Sequence, residues 1–549
     1  MPDQTSRTRT PIHIAVGSLM WPPEQSSGGK PNAAWASDLG LDDLVRGLSS
    51  EQRYSPFIRE TLLALTADPN VIAWRQAVFN DFMSNPKLAE RARQLLPRLA
   101  DLRMGNALFG KRQRSVLLET ADRLSELDMF LNVIQELHQA LAETTVQSDA
   151  LRALAQQLLA IINSETFKDL KQKLPDLQRP LQHFASLTVG INLDAQLRPR
   201  SAILLSINEQ NFVEARGMLA RLLGVRSNDN EETGIAPLHQ TPDDPSMRIL
   251  SPLFQDLEML IAETVQPVAR ALTRFVGVSS TPLSGLEREL AFYVAAVRMV
   301  KELQAHGIPF CQPEIATAAE RVTKIDGLVN LNLALRDPAR QLVSNEAAFD
   351  DEGRIAVLTG PNSGGKTTYV QAVGIAQVMF QAGMMIPANS ARISPVDGIY
   401  THFPALETQQ QGRLAEEAAR LRTVCVKATN QSLVLLNESF SSTTANEAVY
   451  LAQDLLCGLR FIGVRAIFAT HLVELVDRLA EMETNVTGAS RLFSLVAHVE
   501  LSEDASGEIH ATPTFQIRRG VPQGRSYAQE IARRYGISLD QILQARRSQ

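Results

Sequence analysis

Residues 360–367 read GPNSGGKT, a glycine followed by four variable residues and then Gly-Lys-Thr. These residue types at this spacing suit the holding of a phosphate chain. Glycines free the backbone to turn its N–H groups toward an anion, so the run Gly360, Pro361, Asn362, Ser363, Gly364, Gly365 is expected to wrap one closely. Lys366 then offers an ammonium to the β- and γ-phosphates of a nucleotide such as ATP. Thr367 offers a hydroxyl to Mg2+, and Thr368 lies beside it at the start of a helix whose N-terminal partial charge favours the same anion. Two further stretches end in polar residues. SLVLLNES is an apolar run closing on Asn437 and Glu438, and RAIFATHL closes on His471. Such strand ends often carry Asp-Glu, the first residue on the Mg2+ side and the second on the attacking water. Here an amide replaces the first carboxylate. Glu438 is expected to position the water, Asn437 to sit beside the metal with Thr367, and His471 to sense the γ-phosphate. Lys366, Glu438 and His471 are thus the expected catalytic residues.

The surrounding pattern supplies elements to position them. Ile355 to Leu358 predicts a buried strand ahead of the glycine loop. Ala372, Ile375, Ala376, Met379 and Phe380 recur at helical spacing after it, and Gly383 is placed to stop that helix. Strand, loop and helix in that order are what the motif needs. Ser441, Ser442 and Thr443 follow Glu438 in a loop that is expected to cross a dimer interface.

The rest of the chain reads differently. Residues 1–37 are rich in Ser, Thr, Pro and Gly and predict a mobile lead-in. From Asp38 to about residue 331 the pattern is mainly helical. Leu117, Ala121, Leu124, Leu127, Leu131, Ile134, Leu137 and Leu141 fall on one helical face, which is read as core. Further helices are expected from Leu253, Leu257, Leu260 and Ile261, and from Leu290, Tyr293, Val294, Val297, Val300 and Leu303. SLTVGINLD and AILLSIN, near 186–208, predict a small strand pair, and the acidic stretch 226–247 predicts a flexible loop. At about Asn332 strands and helices begin to alternate, which continues through 332–549.

Hydrophobic residues at 44% and charged residues at 21% exclude a disordered chain. A net charge of −6 and a pI near 5.9 exclude a protein that coats nucleic acid by charge alone. Local basic patches remain at Lys111, Arg112 and Arg114, at Arg198 and Arg200, and at Arg518, Arg519 and Arg525. Cys311, Cys425 and Cys457 are far apart and suggest neither a disulfide framework nor a metal site. No apolar run reaches the ~20 residues that span a bilayer, so a cytoplasmic location without membrane contact is expected.

GPNSGGKTTY, LVLLNES with its Ser/Thr loop, FATH, and the late GRSYA around Tyr527 together resemble the MutS family of DNA mismatch repair ATPases. The resemblance implies a multidomain protein. A mainly α-helical core and lever domain would be followed by an α/β P-loop ATPase domain of the ABC type, with a C-terminal helical dimerisation element. ATP and Mg2+ would be the cofactors, DNA and a second copy of the chain the partners, and a downstream repair protein a further one. Three departures stand out. Helices begin near residue 40, which leaves no room for the family's mismatch-recognition and connector domains. Phe212-Val213-Glu214 matches the family's Phe-x-Glu reader by chance only, since it lies mid-chain beside the strand pair, and the clamp region is reduced to that pair and its loop. GRLAEEAARL, from Gly412, lacks the Ser of the family's signature loop.

The expected function is therefore a slow MutS-like ATPase acting as an ATP-driven dimer clamp on DNA, in mismatch repair or in sensing DNA structure without direct mismatch reading. The alternative is a nucleotide-switched dimeric assembly factor that does not bind DNA. A small-molecule kinase fits poorly, because it leaves the long helical region without a role.

Overall fold

The computed structural model describes residues 17–23, 25, 33–49, 51–108, 116–182, 186–210, 213–214, 233–234, 265–275, 281–404, 413–503, 509–522, 541–543 and 546. They fall into two compact units. The described residues within Arg91–Thr145 and Ala153–Glu287 form one, and those within Gly17–Glu90, Val146–Arg152 and Arg288–Gln549 form the other. Lys111, Arg112, Arg114, Phe212, the segment Leu253 to Ile261, Gly412, Arg525 and Tyr527 lie outside the described residues, as does most of 226–247.

The first unit is helical, drawing on Pro86–Leu108, Val116–Ala142, Asp149–Asn163 and Glu165–Gln182. Leu124, Leu127, Leu131, Ile134, Leu137 and Leu141 are buried along one face of Val116–Ala142. The Phe130 ring meets that of Phe167 at 6.4 Å between centroids. Strands β1 (Ser186–Leu193) and β2 (Pro199–Asn208) form an antiparallel pair, and β3 (Val213–Glu214) runs parallel to β4 (Thr233–Gly234). Glu287 is buried, with its carboxylate 2.7 Å from Arg103 Nε.

The second unit carries two sheets. The larger uses β8 (Ile355–Thr359), β10 (Ile399–His402), β11 (Leu433–Asn437), β12 (Arg465–Ala469), β13 (Leu492–Glu503) and β14 (Ile509–Arg519), in the order β10-β11-β12-β8-β13-β14. Its strands are parallel except for the β13–β14 hairpin. Every residue of β8, β11 and β12 is buried, as expected for central parallel strands covered on both faces. The smaller sheet has the order β5-β9-β6-β7, from β5 (Glu314–Ile315), β6 (Thr323–Leu328), β7 (Asn345–Phe349) and β9 (Ser390–Ile393). Arg465, at the start of β12, ties the two sheets. Its guanidinium donates to Val322 O, Thr323 Oγ1, Ser394 O and Pro395 O at 2.8–3.2 Å. Burial, with Arg354 and Arg321 nearby, pushes it down to about 9.

Two expectations need correction. The change to strands begins at Glu314, ahead of Asn332, because β5 and β6 pair with β9, which arrives only after residue 389. A two-residue strand and the mixed run TKIDGL carry no readable period alone; their partner makes them strands. The second correction concerns the lead-in. Where it is described, it is packed: Leu19, Met20, Trp35 and Ala36 are buried. The Ser18 hydroxyl and the Leu19 N–H donate to Glu289 at 2.6 and 2.5 Å. Arg75 donates to Met20 O and to Gln381 O, and stacks over the Trp21 ring. Further on, Gln371 and Asn332 donate to the carbonyls of Asp38 and Leu39. A few large side chains and backbone carbonyls anchor a segment whose composition reads as loop. No helix among the described residues is long and apolar enough to cross a membrane.

The Lys366–Gln381 helix is stopped by Gly383 at φ +79°. A Cβ there would lie 2.2 Å from Arg75 Cβ and 2.9 Å from the Arg75 carbonyl carbon. Gly383→Ala should therefore destabilise the second unit by about 2–4 kcal/mol, from left-handed strain plus overpacking. A urea titration followed by tryptophan fluorescence checks this; an unchanged midpoint would contradict the close approach.

Candidate nucleotide site

Three parallel strands end side by side, and the register decides what meets there. Asn437 is level with Ala469, and Ala469 with Leu358. The glycine loop after β8, Glu438 after β11 and His471 after β12 thus emerge at one sheet edge, the carboxyl end where open α/β sheets bind ligands.

The glycine loop uses the backbone freedom that its residue types allow. Gly360 has φ +139°, Ser363 +68° and Gly365 +90°. Ala497 lies against the loop, so a Cβ on Gly360 would come within 2.7 Å of it. Gly365 caps the Lys366–Gln381 helix without a side-chain bond to its first N–H groups, which leaves them available to an anion.

Lys366 is buried and curls back onto the loop, donating to Gly360 O at 2.9 Å and Pro361 O at 3.2 Å. The same ammonium lies 3.3 Å from Glu438 Oε1, and His471 Nδ1 lies 2.9 Å from Glu438 Oε2. Burial pushes the Glu438 carboxyl up, but the His471 hydrogen bond and the Lys366 charge outweigh it and hold the group below the usual carboxylate range. The hydrogen bond to Glu438 lifts His471 above the ordinary imidazole value, against burial. Glu438 has φ +50°, a left-handed backbone rarely adopted by side-chain-bearing residues. Its N–H is fixed by donation to Ala469 O at 2.8 Å. Thr367 Oγ1 donates to Asn437 Oδ1 at 3.1 Å, so the two residues expected on the metal side form a pair of adjacent oxygens. Mg2+ prefers oxygen ligands, and this donor set fits it.

Of the following loop, Ser441 lines the cleft. Ser442 donates to Glu417 at 3.1 Å, and Thr443 bonds Glu447, so both hydroxyls are engaged within the chain. Thr368 presents its carbonyl to Asn330 Nδ2 at 2.7 Å, which fastens the first helical turn to the neighbouring Leu331–Arg336 helix.

A cleft of about 800 Å³ opens over these groups, lined also by Leu342, Val343, Asn362 and Phe515. Phe515 and Val343 are 45% and 36% exposed and give the cleft an apolar wall. Asn345 places Phe515: its side-chain amide donates to Phe515 O at 3.2 Å and accepts from the Ile517 N–H at 2.6 Å. Neither residue is evident from the motifs. The only sequence trace of this wall is a lone Phe in the alternating run of β14.

Comparison with known proteins accounts for both parts of the chain. The MutS2 N-terminal domain model matches residues 67–306, and the MutS domain V model matches 356–548. Endonuclease MutS2 of Thermus thermophilus is 33% identical over 205 residues, 37% of this chain and 26% of that protein. DNA mismatch repair protein MutS of Trichormus variabilis is 28% identical over 466 residues, 78% of this chain and 52% of that protein. Human DNA mismatch repair protein Msh3 is 29% identical over 234 residues, 41% of this chain and 20% of that protein. The chain thus spans about half or less of the length of these relatives. One model covers the helical stretch and the other the strands that bring Lys366, Glu438 and His471 together, and with relatives of the same name matching across both, the chain belongs to the MutS family.

Proposed function

We propose that the chain binds ATP with Mg2+ in the cleft, hydrolyses it slowly to ADP and phosphate, and uses the cycle to open and close a homodimer on DNA. The convergence of Lys366, Glu438 and His471 at a helix N-terminus without a side-chain cap carries the nucleotide part of this reading. The triphosphate would lie along the Gly360–Thr368 loop, with the base against Phe515 and Val343. Lys366 would exchange the Gly360 and Pro361 carbonyls for phosphate oxygens. Glu438, ionised at neutral pH, would accept a hydrogen bond from the attacking water and orient it toward the γ-phosphorus. His471 would hold that carboxylate in place and offer a proton-bearing nitrogen beside the phosphate. Thr367 and Asn437 would hold the metal, which when bound neutralises phosphate charge. The amide of Asn437 brings no negative charge, so metal affinity and rate are both lower than a carboxylate would give.

The relatives' names, DNA mismatch repair proteins and an endonuclease, support DNA as the partner. The net charge of −6 favours a second reading, a nucleotide-switched assembly factor that does not bind DNA.

Three variants test the site. Lys366→Ala should lose nucleotide retention, by about tenfold or more in Kd. Glu438→Ala should keep it while turnover falls by roughly a hundredfold. Asn437→Asp should lower the Mg2+ concentration needed for half-maximal turnover, since a full charge replaces a dipole within a few ångströms. Unchanged retention in Lys366→Ala, measured with radiolabelled ATP, would remove the nucleotide assignment.

The partner is tested by ATPase rate against homoduplex, mismatched and branched DNA, with sedimentation of the same samples with and without nucleotide. Stimulation that falls steeply with salt is expected. No stimulation by any DNA would leave the assembly-factor reading in its place.

A further inference from the structure

Glu438 acts through a carboxylate that its own backbone does not favour. Left-handed geometry is disfavoured at a residue with a Cβ, and the turn contains two such residues, Glu438 at φ +50° and Phe440 at +66°. Such a conformation persists only where its surroundings hold it. Between the two stands Ser439, which is buried. Its hydroxyl lies 2.8 Å from Nδ1 of His402, the last residue of β10 and only 3% exposed.

β10 pairs with β11 along its length, His402 level with Leu436, so the imidazole arrives from the neighbouring strand just as the chain leaves the sheet. Its own neighbour is anchored in turn: Thr401 donates to Asp38 at 2.6 Å. On the far side of the turn, Ser442 donates to the buried Glu417 of the Arg413–Lys427 helix. Ser439 and Ser442, one before and one after Phe440, are thus held from outside, while the Glu438 N–H is held by Ala469 O.

We propose that His402 is a positioning residue for hydrolysis: by fixing the Ser439 hydroxyl it holds the strained turn that aims the Glu438 carboxylate. This rests on the reading of the cleft as an ATP-hydrolysing site. His402 is not among the residues lining the cleft; it acts through Ser439 on the direction in which Glu438 leaves β11. A misplacement of about 1 Å at a reacting group costs up to ~100-fold in rate. Binding of the triphosphate depends on the glycine loop and Lys366, which His402 does not contact, so affinity and turnover should separate.

The test is steady-state ATPase with nucleotide affinity measured on the same preparations of full-length protein. His402→Leu should lower kcat about tenfold with KM and Kd for ATP within about twofold of wild type. His402→Asn keeps a polar atom at the Nδ1 position and should recover most of the rate. Ser439→Ala should match His402→Leu, and the double variant should be no worse than either, the signature of one shared interaction. An undiminished kcat in His402→Leu, with wild-type turnover well above Glu438→Gln, overturns the positioning role alone. So does a loss of kcat accompanied by an equal loss of affinity and a lowered Tm that His402→Asn does not rescue. Equal turnover in wild type and Glu438→Gln overturns the hydrolytic reading, and this proposal with it.

Discussion

An ammonium and an imidazole close on one carboxylate from either side, and the placement of that carboxylate is the constraint around which the second unit is arranged. Lys366, Glu438 and His471 follow three different strands and meet within hydrogen-bond range. That meeting requires β8, β11 and β12 to end level, which their parallel register provides. It also requires a sharp left-handed exit at Glu438, which the sheet cannot favour and neighbouring groups must impose. Lys366 is satisfied by carbonyls of its own loop, so its charge is compensated before any ligand arrives. A buried ammonium without such partners would be far more costly.

The sequence made some of this legible and hid the rest, for physical reasons. GPNSGGKT announces itself because positive φ, close backbone approach and a helix start are all local demands met by adjacent residues. The runs that became β8, β11 and β12 are apolar throughout because both faces are covered, and the stripe from Leu124 to Leu141 shows the helical period directly. Phe515, Asn345 and His402 are single residues in unremarkable contexts. Each matters through a partner far along the chain: Asn345 through residues 515 and 517, His402 through Ser439. No local window carries such a pairing. The lead-in misled in the opposite sense, since its Ser, Pro and Gly content outweighs the few anchors, Leu19, Met20 and Trp35, that are buried.

Charge placement in the interior follows a common logic. Arg465 is surrounded by carbonyl and hydroxyl oxygens with no carboxylate among these partners, and it ties β12 to the smaller sheet at the end of β12 remote from the cleft. Gln377 and Gln381 continue the pattern along the helix behind the glycine loop, bonding to each other, to Ser394 O, and to the carbonyls of Thr66 and Val396. These contacts tie the helix behind the glycine loop to Thr66 and to residues 394–396. Replacing the usual carboxylate by Asn437 fits such a frame, because the amide keeps the hydrogen bond from Thr367 and surrenders only charge.

The anchoring of residues 18–39 has a consequence for how the chain matures. Ser18 waits for Glu289, Met20 for Arg75 and Leu39 for Asn332, while the Asp38 carboxylate finds Thr401. A ribosome delivers this segment before its partners, most of which emerge hundreds of residues later. The segment therefore settles only after those partners exist, and the second unit closes only once synthesis has passed β10.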